Sequence, residues 1–149
     1  MSATKLKKII FVCTGNTCRS PMAMALFNKR ADELSIDSEA FSRGLYADSS
    51  AISCNALKAL SEVGITELCH FSATITEDDM KEADIVIGIT SRHAAKLIAD
   101  FPQYCDKVYA FPFDVSDPFG GDITVYRKTL KELQEGIDII IREVFPECL

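Results

Sequence analysis

An α/β fold with a parallel sheet covered on both faces is predicted by three features. Short apolar runs read as strands, capped helical stretches separate them, and the length suits one domain over residues 1–149. The first run, Lys8-Ile9-Ile10-Phe11-Val12-Cys13, stops at a Gly-containing turn, as a buried strand does. Ser20-Pro21 then opens a helix to about Glu33, with Ser20 as candidate cap and Pro21 at the favoured first helical position. Met22, Ala25, Leu26 and Lys29 follow at helical spacing. A second strand fits Glu39-Ala40-Phe41-Ser42. Ser53 begins a second helix carrying Ala56, Leu57 and Leu60, and Gly64 stops it. Thr76-Glu77-Asp78-Asp79 has the form of a capping box ahead of a short helix. Asp84 to Gly88 reads as the third strand, Thr90 to Asp100 as a helix, and Lys107 to Ala110 as the fourth strand. A loop rich in Pro, Asp and Gly runs from Phe111 to Gly121. Asp122 caps the longest helix, whose Tyr126, Leu130, Leu133, Ile137, Ile140 and Val144 form one apolar stripe. Strands alternating with helices imply crossover connections, and so a three-layer arrangement around a parallel sheet.

Composition narrows the function classes. With 48% hydrophobic residues the chain is too apolar for disorder. No apolar run approaches the roughly 18 residues of a membrane span. The basic start, Met1 to Lys8, lacks the apolar length and cleavage site of a signal peptide, so a reducing, cytoplasmic setting is expected. A net charge of -6 argues against nucleic acid as a partner. The six cysteines, Cys13, Cys18, Cys54, Cys69, Cys105 and Cys148, then read mostly as plain thiols. Cys13 and Cys18 would make half a zinc site, but no second close pair completes it, and His70 and His93 stand alone. No metal and no other cofactor is expected, and the chain is expected to act as a monomer.

In parallel α/β folds ligands bind beyond the carboxyl ends of the strands, near a switch in strand order. The loop after the first strand reads Cys13-Thr14-Gly15-Asn16-Thr17-Cys18-Arg19-Ser20-Pro21. Cys-x5-Arg alone is a weak signal; its place between a strand and a helix strengthens it. A short loop before a helix N-terminus points backbone N–H groups at one spot, and the helix dipole adds positive potential there. Gly15 and Asn16 tolerate the positive φ angles such a nest needs. Arg19 can close the ring with a bidentate grip on phosphate oxygens. The same positive field favours a thiolate at Cys13. An anion trap with a nucleophile at its base points to phosphoryl transfer through a phosphocysteine. The bland alternative, a buried Cys with a surface Arg nearby, leaves Gly-Asn and Ser-Pro unexplained. The chemistry also needs an acid for the leaving group. Asp117, in Asp117-Pro118-Phe119-Gly120-Gly121, sits in a loop at the same sheet edge, with Pro118 stiffening it and Phe119 able to wall the pocket. Asp114 is the alternative acid, and a turn residue is the bland reading of either Asp.

These two motifs together, across the whole chain and in this order, resemble the low-molecular-weight protein phosphatases. The resemblance implies a flavodoxin-like, phosphotyrosine phosphatase I-like domain with a four-stranded parallel sheet, and no metal. It implies Cys13 as nucleophile, Arg19 as phosphate ligand and Asp117 as general acid and base. Thr14, Gly15, Asn16, Thr17, Cys18, Ser20 and Phe119 would contact substrate. A supporting polar network is implied at Asn16, Ser20, Ser42 and His70, and phosphorylated proteins are the implied substrates.

Relatives acting on phosphotyrosine usually carry an aliphatic residue at the position of Thr17, whereas the phosphoarginine branch carries Thr. Tyrosine-directed relatives often add a second aromatic after Asp-Pro-aromatic; here Gly120-Gly121 follow Phe119, so one wall is missing. Both departures favour phosphoarginine, with phosphotyrosine as the alternative. An arsenate-reductase-type thiol oxidoreductase shares the loop but relays electrons through cysteines after the third strand, and Ile85 to Asp100 contains none. A non-catalytic phosphopeptide-binding module is the remaining competitor. Cys18 has two readings: a disulfide partner that shelters Cys13 from overoxidation, or a residue packed behind the loop.

Overall fold

Strand β1 (Lys7–Cys13) runs through the middle of the sheet, and every side chain from Ile9 to Cys13 is buried. That double-sided burial is why its sequence is an unbroken apolar run. The computed structural model describes residues 7–148; the basic segment 1–6 lies outside the described residues. The sheet has four strands in the order β2-β1-β3-β4, with β2 at Ser38–Gly44, β3 at Ile85–Gly88 and β4 at Val108–Ala110. All three pairings are parallel. The chain leaves β1 first toward β2 and later returns to its other side with β3, so the strand order switches at the carboxyl end of β1.

Alternate residues of β1 feed two cores. Ile9, Phe11 and Cys13 pack with helices α1 (Arg19–Glu33), α2 (Cys54–Glu62) and α5 (Ile123–Val144). Ile10 and Val12 pack with Met80 of α3 (Glu77–Glu82) and with Ala94 and Leu97 of α4 (Ser91–Asp100). Fully burying such a side chain stabilises by roughly 1.5–3 kcal/mol.

The expected caps form. Ser53 accepts from the Ala56 amide, Asp122 from Val125, and Thr76 closes a capping box with Asp79. Gly64, just beyond α2, takes φ 91, which favours glycine. Helix α1 departs from expectation. It begins at Arg19 with Cys18 as its cap residue and no side-chain cap bond, so Pro21 is the third helical residue and Ser20 lies inside the helix. Ser20 does not cap because its hydroxyl is engaged below, in the loop. A short 3-10 segment at Pro102–Lys107, unforeseen in the sequence, leads into β4.

Two close approaches position the functional edge. A Cβ at Gly88 would lie 2.5 Å from the Ala94 amide nitrogen, so glycine lets α4 start against the end of β3. A Cβ at Gly136 would collide with the Phe111 ring, so α5 receives Phe111 at a gap and anchors the start of the loop carrying Asp117.

Candidate active site

The loop from Cys13 to Arg19 is held by its carbonyls. Those of Cys13 and Thr14 accept from the amides of Leu45 and Tyr46, each at 2.9 Å. Asn16 O accepts from His70 Nε2 at 3.0 Å, and Thr17 O from the Ser53 amide at 3.0 Å. Among the described residues the amides of Gly15 to Cys18 donate to no protein acceptor. The same residues, Cys13 to Arg19, line a cavity of about 250 Å³ together with Asp117 and Phe119. A nest of this kind, opening onto the N-terminus of α1, binds an anion.

Asn16 makes the curl possible. It is fully buried at φ 60, in the left-handed region that Asn enters more readily than most residues. Its Nδ2 donates to Ser20 Oγ at 2.8 Å and its Oδ1 accepts from the Ala73 amide at 3.0 Å. Ser20 Oγ in turn lies 2.9 Å from Cys13 Sγ and 3.2 Å from the Arg43 carbonyl. The hydroxyl can donate to the Arg43 carbonyl when Cys13 is a thiol and to the sulfur when it is a thiolate, so it suits both states. Gly15, expected at positive φ, is not among the left-handed residues, and a Cβ there would meet only Thr17 Oγ1, at 4.0 Å. Asn16 alone supplies the turn.

Arg19 is buried and lines the cavity. One guanidinium nitrogen donates to the Val115 carbonyl at 3.0 Å, and another lies 3.6 Å from Asp117 Oδ2. The sequence does not announce Val115, because a backbone carbonyl carries no residue signal. Asp117 is half exposed and its other oxygen accepts from the Phe119 amide at 3.1 Å. Asp114, the alternative acid, is committed elsewhere: it accepts from the Ser91 amide at 2.8 Å and from Ser91 Oγ at 3.3 Å, tying the loop to α4.

Of the expected polar network, His70 joins through Asn16. Burial pushes its pKa down, against the pull of the Asn16 carbonyl, so the ring is neutral and donates from Nε2. Ser42 does not join. It pairs with Phe11 in the register, while Gly44 pairs with Cys13, and among the described residues its buried hydroxyl has no partner. Gly44 is the residue at the cradle: a Cβ there would lie 2.9 Å from both Asn16 Cβ and Thr14 O.

His93 is the residue the sequence reading passed over. At the third position of α4 it receives the Thr90 amide on Nδ1 at 3.2 Å, leaving Nε2–H to donate to Thr14 Oγ1 at 2.9 Å. Burial, with the nearby Arg19 charge, lowers its pKa to about 4, so the ring stays neutral. Its signal was available: Thr90-x-x-His93 is a capping-box spacing on a helix that starts at the functional edge. Cys18 is buried with its sulfur 3.2 Å from Tyr126 Oη, whose pKa is raised by burial and by this contact. The packing reading accounts for that contact, and a Cys13–Cys18 disulfide would have to give it up. A second aromatic also stands nearby. Tyr46 and Phe119, both largely exposed, line an adjoining cleft of about 650 Å³ with Gly15, Thr17 and Asp48. The wall missing after Phe119 is thus partly supplied from the segment after β2.

The family description "Low molecular weight phosphotyrosine protein phosphatase" matches residues 8–147. The chain belongs to this family. A protein-arginine-phosphatase of Bacillus subtilis (strain 168) is 42% identical to it, covering 85% of this chain and 89% of its own. A low molecular weight protein-tyrosine-phosphatase PtpB of Staphylococcus haemolyticus is 32% identical, covering 85% and 91%. Among solved structures, a Cys-to-Ser variant of the YwlE arginine phosphatase with a phosphorylated active-site serine superposes with a TM-score of 0.88 at 38% identity, covering 92% of this chain and 95% of that one. No helix among the described residues is long and apolar enough to cross a membrane.

Proposed function

We propose that this member of the family hydrolyses phosphorylated proteins through a phosphocysteine, with phosphoarginine the favoured substrate. The observation that carries the reading is a loop whose carbonyls are tied to their surroundings, which leaves four amides without protein acceptors in the cavity that Cys13 and Arg19 also line. The phosphoryl oxygens occupy that cradle. Cys13 attacks phosphorus as the thiolate, the bond to the leaving nitrogen breaks, and Asp117 gives that nitrogen its proton. A water then attacks the phosphocysteine, losing its proton to Asp117, and inorganic phosphate leaves as the thiolate is restored. Ser20 stabilises the thiolate at 2.9 Å, and the fixed amides stabilise charge on the transferred group without reorganising.

Thr17 and the arginine-phosphatase relative favour phosphoarginine; Tyr46 and Phe119 lining one cleft favour the second reading, phosphotyrosine. The comparison of kcat/KM on matched phosphoarginine and phosphotyrosine peptides separates them. A higher value for phosphoarginine is expected, with Thr17→Ile moving the ratio toward tyrosine. Equal or reversed values in the unaltered protein would defeat the arginine assignment.

A further inference from the structure

Beside the cradle, and sharing Thr14 and Arg19 with it, lies a second cleft of about 450 Å³. Its floor and walls come from Leu45, Tyr46 and the first turns of α4, which bring Arg92 and Lys96 to it. The cleft's single carboxylate, Asp114, is turned to the Ser91 amide and hydroxyl. Arg92 is exposed and forms no ion pair among the described residues. Among the described residues Lys96 forms its one ion pair with Asp100, one turn further along α4 and outside the cleft lining, at 3.1 Å with both side chains 43% exposed, and its ammonium also interacts with the Tyr46 hydroxyl at the cleft. Besides Arg19, which belongs to the cradle, the cleft therefore presents two cations that substrate can reach, in a chain whose net charge is -6.

We propose that this cleft receives an aspartate or glutamate side chain flanking the phosphorylated residue, so that Arg92 and Lys96 select acidic polypeptide segments. The inference rests on the reading of the protein as a protein phosphatase and deepens it. The geometry favours a flanking residue. An extended chain advances at most about 3.3–3.6 Å per residue, and the two cavities share Thr14 and Arg19, so a phosphoryl group in one leaves a near neighbour in sequence facing the other. Tyr46 divides the surface: on its other side the cleft holds Asp48 and no cation, and gives a carboxylate nothing to pair with. Selection is also needed, because the chain's overall negative charge repels an acidic segment at long range and only local cations offset that. Arg92 adds a planar fork suited to carboxylate.

The test uses the full chain and phosphopeptides that differ only in carrying Glu or Gln at each position from three before to three after the phosphorylated residue. The Glu-to-Gln ratio of kcat/KM is read within each protein, which removes differences in active fraction. The unaltered protein should favour Glu at one or two positions by roughly 2- to 5-fold, the range of exposed ion pairs, and through KM. The ratio should fall to about one in Arg92→Gln/Lys96→Gln and invert in Arg92→Glu/Lys96→Glu. A ratio of one at every position in the unaltered protein, or a preference that survives the double substitution, overturns this inference while the phosphatase reading stands. Hydrolysis of p-nitrophenyl phosphate with no turnover of any peptide overturns the protein-phosphatase reading and the inference with it.

Discussion

Arg19 stands where a helix prefers an anion, at the first residue of α1, and it is buried there. A cation in that place costs roughly 0.3–1 kcal/mol against the dipole alone, and burying it without a counter-charge costs more. The Val115 carbonyl and Asp117 offset part of this, and an anion in the cradle completes it. Such a cost is kept where charge must meet a substrate. At this scale, Cys13→Ser should abolish turnover, and Asp117→Asn should slow it by roughly 10²–10⁴-fold, the usual weight of general acid–base catalysis. An intact rate in Asp117→Asn would show that the acid lies elsewhere. His93 carries a pH signature. Its folded pKa, about 4, lies below the ordinary imidazole value of roughly 6.5, so folding favours the neutral ring. The resulting stability is fully present above the higher value and is lost as pH falls toward the lower one. The melting temperature of the unaltered protein should therefore exceed that of His93→Gln most near neutrality, with the gap closing toward pH about 4. A gap constant across that window would refute the assignment.

Elements meet at this site through absent side chains. The carboxyl end of β2 touches the loop at Gly44, and the start of α4 touches β3 at Gly88. At Gly44 the obstruction is the backbone oxygen of Thr14 and the first side-chain carbon of Asn16, neither of which can swing away. Gly44→Ala should cost about 1–3 kcal/mol, as overpacking does, and lower kcat together with the melting temperature, because the displaced atoms belong to the phosphate cradle. Unchanged values of both would mean that strand and loop are not in contact. The element ends show how far local signals reach. The caps at Ser53, Thr76 and Asp122 involve residues three apart, and their side chains bond where spacing suggested; Thr90 caps α4 in the same way, though it was not expected to. Ser20-Pro21 carried an equally good local signal and misled, because Cys13 and Asn16 compete for the serine hydroxyl from within the curled loop.

Across the whole molecule, periodicity and composition determined the alternation of strands and helices, the single parallel sheet and the loop that holds Cys13 and Arg19. Each of these is written in contiguous residues, where backbone geometry repeats every two or 3.6 positions. The loop that carries Asp114 and Asp117 was legible for the same reason, as a turn-rich stretch beyond a strand, while the preference for Asp117 as the acid came from the family resemblance. Only the tertiary structure decided the strand order β2-β1-β3-β4, and with it the register that sets Gly44 rather than Ser42 beside Cys13. It also decided that His93 reaches Thr14 from 79 residues away, and that Arg92 and Lys96 open onto a cleft shared with the cradle. Such neighbours come from elements brought together by burial of apolar faces. That force acts on area and is indifferent to which polar groups it carries to the same edge, so a local pattern can mark a residue such as His93 but cannot name the partner it meets.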